Sequence, residues 1–155
     1  MSDARENIWV AKLAEKSNAV HLVRGLLGCA CPPAVFDHYQ VQRLDSGVIP
    51  VVQLIMGDRL LLWVVDLTRV QRVMEEATNL LEQGLRERER RGLNRFRLCI
   101  VGECSRELSG GLMRLPDSFD SKVHLHILPS LENALPQPRG GDNTPEEKHP
   151  QRDCC

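Results

Sequence analysis

No stretch of this sequence approaches the roughly 18 consecutive apolar residues that a membrane-crossing helix needs. Net charge is also missing. Twenty Lys and Arg face 21 Asp and Glu, a formal balance of -1, so nothing global favours nucleic acid or an anionic membrane. The opening residues, Met1-Ser-Asp-Ala-Arg-Glu-Asn7, contain no apolar leader core, and the expected location is therefore cytosol or nucleus. The glycine-rich phosphate loop G-x-x-x-x-G-K-[ST] is absent too, and with it the backbone cradle for a nucleoside triphosphate. What is present is 155 residues at 42% hydrophobic composition, enough for one domain with a sizeable core. Its six cysteines (Cys29, Cys31, Cys99, Cys104, Cys154, Cys155) are scattered, and with no secretion signal they read as reduced thiols rather than a disulfide framework.

The informative stretch is Arg59 to Gly102. Arg59-Leu-Leu-Leu-Trp-Val-Val-Asp66 and Arg97-Leu-Cys-Ile-Val-Gly102 are apolar runs without the alternation of a half-wet strand, which predicts burial on both faces. Between them, Val70, Val73, Met74, Ala77, Leu80, Leu81 and Leu85 recur at helical spacing, which predicts an amphipathic helix over 68–91. Strand, helix and parallel strand make a right-handed βαβ unit. Beyond Leu85 the stripe gives way to Arg86-Glu-Arg-Glu-Arg-Arg91, predicted to project into water with Gly92 as terminator.

Around this unit the remaining elements are shorter. Asn7-Ile-Trp-Val-Ala-Lys-Leu13 fits either a strand or the start of a helix. Residues 19–27 read as a helix capped by Ser17 or Asn18 and ended by Gly28; Cys29 to Pro33 must be irregular. Residues 39–44 suit an edge strand, Asp45-Ser-Gly47 a turn, 48–56 a strand with Pro50 at its start, and 122–128 a last strand. With the first element taken as a strand, the order implies an α/β fold: a three-layer, mostly parallel sheet with helices on both faces. The domain spans 7–130. Residues 131–155 form a tail whose stretch from Gln137 is too polar to offset its ordering entropy, and disorder is expected there. In such a sheet, ligands sit beyond the carboxyl ends of the strands, which would present Ala14 to Asn18, Asp66 to Thr68 and Gly102 to Ser105.

Asp58-Arg-Leu-Leu-Leu-Trp-Val-Val-Asp-Leu-Thr68, then a helix and Phe96-Arg-Leu-Cys-Ile-Val-Gly102, resembles the second half of small Ras- and Rab-like GTPases. There a strand ends in Asp-hydrophobic-Thr and a later one leads into a guanine-reading Asn-Lys-x-Asp. This chain carries Gly102-Glu-Cys-Ser-Arg106 at that point and lacks the Asp-x-x-Gly that contacts magnesium and the γ-phosphate. The resemblance is to a GTPase-like fold without its P-loop and nucleotide site. Among such proteins, residues 7–130 are similar to the centromere protein M family of the inner kinetochore, through Asn7-Ile-Trp-Val-Ala11, Asp58 to Leu81 and Arg97 to Glu107. That resemblance implies a non-catalytic pseudo-GTPase scaffold in the nucleus, at the centromere. It implies other subunits of a multiprotein complex as partners, no cofactor or metal, and no direct nucleic acid contact.

Two alternatives stay open on particular residues. Val123-His-Leu-His-Ile-Leu-Pro129 is similar to the histidine-triad nucleotide hydrolases. Alternation puts His124 and His126 on one strand face, where one would attack phosphorus. The competing reading is two histidines on the wetter face of an edge strand. Cys154-Cys155 after a polar tail resembles the doubly prenylated ending of Rab GTPases, which would add a membrane as partner; unmodified thiols are the competing reading. Cys29-x-Cys31 with His21 or His38 does not have zinc spacing.

Overall fold

The computed structural model describes residues 3–29, 31–45, 49–68, 70–132 and 134–135. The chain opens with helix α1 (Asp3–Leu13), so residues 7–13 are helical and the strand-first order is corrected. Glu6, Trp9 and Leu13 are buried while Asn7, Ile8 and Ala11 are exposed, the three- and four-residue spacing of one helix face. Helix α2 (Lys16–Val20) follows and runs on as a π-helical stretch over His21–Leu26, stopping before Gly28 at φ +72°. Glu15, not Ser17 or Asn18, stands at the N-cap of α2. Buried Asn18 instead donates its Nδ2 to the Lys12 carbonyl at 2.9 Å, satisfying the end of α1. A 3₁₀ turn at Pro33–Asp37 leads into the strands.

Strands β1 (Tyr39–Leu44), β2 (Val51–Met56) and β3 (Leu60–Asp66) form an antiparallel meander, with Gly57 and Asp58 both at positive φ in the second turn. Helix α3 (Val73–Arg91) crosses over to β4 (Arg95–Val101), which lies parallel to β3. Helix α4 (Arg106–Arg114) then leads to β5 (Val123–Leu128), parallel to β4. The five strands are ordered β1-β2-β3-β4-β5. The protein is thus an α/β protein with a mixed sheet rather than a mostly parallel one. The two short connections can only make hairpins, whereas α3 and α4 supply crossovers.

β3 and β4 are buried on both faces, as their unbroken apolar runs predict. Leu60, Leu62, Val64, Cys99 and Val101 join a cluster with Trp9, Leu13, Leu22, Val23, Leu131 and Leu135. Leu61, Trp63, Val65, Phe96, Leu98 and Ile100 join a second cluster with Ala77, Leu80, Leu81 and Leu112 from α3 and α4. Because Leu131 and Leu135 are buried, packing continues past residue 130, where the sequence reading begins the polar tail. Residues 136–155, including the stretch from Gln137 for which disorder is expected, lie outside the described residues, as do Ser46 and Gly47 of the predicted turn.

The end of α3 departs from expectation. Arg88, within the charged run predicted to lie in water, is only 7% exposed. Its guanidinium reaches Asp120 at 2.9 Å, so the last turns are held against the loop before β5. Within the same run Glu87 meets Arg91 at 2.5 Å, an i,i+4 pair, and also Arg90 at 2.6 Å.

Candidate functional site

The carboxyl ends of β3 and β4 bring together two of the three predicted ligand-edge segments. Gly102 (φ +136°) sits so close to the loop after β3 that a Cβ there would lie 2.3 Å from Thr68 Cγ2. Asp66 closes the β3 end: its Oδ1 accepts from the Thr68 amide at 2.8 Å and from the Thr68 hydroxyl at 2.5 Å. This turn holds the chain out of helix, which is why α3 starts at Val73 rather than Thr68. The third segment, Ala14 to Asn18, joins two helices instead of following a strand, and its Lys16 pairs with Asp37 at 3.0 Å.

Into this edge the protein inserts one of its own cations. Arg5 of α1 donates Nη1 to Asp66 Oδ2, and its Nε donates to Glu132 Oε2 at 3.0 Å. Its guanidinium also lies 5.2 Å from the ring centroid of Trp9. The hydrogen bond from Arg5 to Glu132, then the charges of Asp66 and Glu132, raise the Arg5 pKa against the opposing effect of burial. Burial pushes the Glu132 carboxyl up, but the bonds and charge of Arg5 prevail and hold it below its usual range. Next to this pair, buried Glu6 leaves Oε1 without a hydrogen-bond partner, and burial raises its carboxyl pKa. The arrangement is an internal clasp between the first helix, the end of β3 and the chain beyond β5.

Asp66, with its side chain 8% exposed, carries both the turn and the clasp. Asp66→Ala removes a turn acceptor and leaves Arg5 with Glu132 alone, and should cost about 2 kcal/mol. Asp66→Asn keeps an oxygen for Thr68 and should cost about half as much. Urea denaturation checks this as a lowered midpoint with an unchanged slope.

The second arrangement is on β4 and β5. His124 and His126 do share one face, as alternation predicts, and their partners are arginines. Arg95 Nη1 lies 3.3 Å from His124 Nε2, and Arg97 Nη1 lies 2.6 Å from His126 Nε2. An arginine can only donate, so each imidazole accepts at Nε2 and keeps its proton on Nδ1. Burial first, then the Arg97 charge, lowers both histidines, His126 to about 3. Both rings are therefore neutral near pH 7, with the Nε2 lone pair that a nucleophile would need already engaged. Sequence reasoning missed Arg95 and Arg97. The only available signal was their two-residue spacing, which matches that of the histidines but leaves the register open.

The remaining candidates do not assemble. Cys99 is fully buried as a core residue, and burial pushes its thiol up to about 12. Cys29 and Cys31 are buried with their sulfurs 3.0 Å apart, and Cys31 is disulfide-bonded, which corrects the reduced-thiol reading at that position. Among the described residues no group of three His, Cys, Asp or Glu side chains is placed to hold a metal ion, and no helix is long and apolar enough to cross a membrane. The candidate lipidation pair Cys154 and Cys155 lies outside the described residues. No protein-family model matches the chain, and no curated protein sequence matches it.

Proposed function

We propose that this chain is a non-catalytic scaffold subunit that binds other proteins, built as a three-layer, GTPase-like α/β domain without a nucleotide site. The observation that carries this reading is the clasp at the strand edge. Where an open α/β sheet would receive a ligand, Asp66 is engaged by Arg5 and Thr68. A phosphate entering there would have to displace Arg5 from two carboxylates and approach Asp66 itself. The β3-α3-β4 unit with Asp66-Leu-Thr68 at its turn supports the GTPase-like part, and the resemblance to centromere protein M motivates a place in the nucleus, at the inner kinetochore.

Titration with a fluorescent GTP analogue tests the first half. No magnesium-dependent binding is expected, and saturable binding would overturn the reading. Affinity purification of the full chain from a nuclear extract tests the second. Kinetochore subunits are expected in the bound fraction, and their absence removes the kinetochore assignment.

A further inference from the structure

We propose that the outer edge of β5 receives an extended acidic segment of a partner protein as a sixth strand, with carboxylates meeting Arg95 and Arg97. This names the kind of partner for the scaffold reading above and rests on it. Three observations converge on the proposal.

The first is the edge itself. Phe96 donates its amide to the Lys122 carbonyl at 3.1 Å, and Gly102 donates to the Leu128 carbonyl at 2.8 Å, so the even-numbered residues of β5 turn their backbone groups toward β4. Strand alternation then points the amide and carbonyl of Leu125 and Ile127 away from β4, and β5 is the last strand of the sheet among the described residues. No proline, bulge or inward-facing lysine interrupts Val123–Leu128, the devices by which edges are normally blunted. A groove lined by Met113, Pro116, Asp117, Phe119, Asp120 and Ser121 runs along residues 123–126 of this strand, with half-exposed Met113 on its wall.

The second is uncompensated charge. Arg97 is only 5% exposed, yet neither it nor Arg95 has a carboxylate partner among the described residues. The Nε of each is buried without a hydrogen-bond partner. A buried guanidinium met only by neutral imidazoles is an unusual balance, and an anion supplied from outside would complete it. Asp120, at the groove, is already taken by Arg88.

The third is direction. Both arginines start on β4 and reach sideways to the histidines of β5, toward the outer edge of that strand. A strand added beside β5 would project every second side chain onto this same face. Glutamates at those positions could extend toward the guanidinium groups while the backbone pairs with Leu125 and Ile127. Pairing to the edge gives affinity, and the alternating carboxylates give selectivity.

The test uses the full chain and a short fluorescent peptide alternating glutamate and valine, with a lysine-valine peptide as control. The glutamate peptide should bind and the lysine peptide should not. Arg95→Gln with Arg97→Gln keeps donors for the imidazoles but removes the charge, and should weaken binding at least about tenfold. Ile127→Pro deletes an outward amide without touching the ladder to β4, and should weaken it to a similar degree in a protein that still folds, as circular dichroism would verify. Inorganic phosphate that competes as strongly as the peptide would overturn the strand proposal in favour of a small-anion site. If neither peptide binds while the wild-type chain and these variants all retain kinetochore subunits, the edge proposal falls and the scaffold reading stands. If the wild-type chain retains none either, the edge proposal and the kinetochore assignment both fall.

Discussion

Replacing Gly84 with alanine should destabilise the protein by about 2 kcal/mol, whereas Gly110→Ala should stabilise it by about 0.5–1 kcal/mol. Both glycines are helical, so propensity alone predicts a gain at each. The surroundings decide the sign. Nothing lies within 4 Å of a Cβ built at Gly110. A Cβ at Gly84 would stand 2.0 Å from Phe96 Cζ and 2.3 Å from Cε2, inside contact distance of the ring. Phe96 cannot swing clear, because it is fully buried and Trp63 packs against it edge to face with centroids 5.3 Å apart. Trp63 is held in turn by its indole N–H, which donates to the Gln53 side chain at 3.0 Å. Overpacking in so confined a place forces the helix away from the sheet. A loss of about 2 kcal/mol corresponds to a fall in Tm of about 4–8 °C for a chain of this size. Phe96→Leu makes room, so the double variant should recover part of the loss, a non-additivity that calorimetry would detect. Equal stability changes at Gly84 and Gly110 would remove the argument.

This contact shows where sequence reasoning stops. The buried βαβ unit was readable because unbroken apolar strands and a helical stripe are local patterns, and Leu60 to Val65 and Phe96 to Val101 behave as those patterns require. The fit of Gly84 against Phe96 depends on how the helix lies on the sheet, which no window of sequence contains. The same holds for the clasp. Arg5 reaches Asp66 and Glu132 across 61 and 127 positions, so neither partner was predictable from its neighbours. α1 was ambiguous because seven residues of mixed polarity carry too few periods to separate a strand from a helix. Arg88 read as solvated because charge runs usually are. Asp120, far along the chain, brings it inside. The strand face of His124 and His126 was legible from alternation, but its arginines needed the β4–β5 register, which pairs Arg97 with His124.

The four-residue face of Arg95, Arg97, His124 and His126 also sets the response of the fold to acid. Burial, with Arg97 and His124 alongside, lowers the His126 pKa to about 3. In the unfolded chain the same ring titrates near about 6.5. The folded state therefore binds fewer protons than the unfolded state between these values, and stability falls as pH falls. The contribution is complete above pH 6.5 and lost progressively toward pH 3, at up to about 1.4 kcal/mol per pH unit. Allowing for the part of the ring that water reaches, the total is about 3–4 kcal/mol. His126→Gln offers Arg97 a neutral acceptor that does not titrate. It should cost about 1 kcal/mol at pH 7.5, where a good hydrogen bond is exchanged for a poorer one. Near pH 4.5 the order should reverse, with the variant more stable than the wild type. Glu87 and Glu132, held below their usual range by arginine partners, and Asp120, held there by the Lys122 amide and then by Arg88, also lose their contribution in acid. They are present in both proteins and cancel in the difference. Urea midpoints measured from pH 7.5 to 4.5 should give two curves that cross. The explanation is wrong if the curves stay parallel, or if the folded His126 ring titrates near 6.5 by NMR.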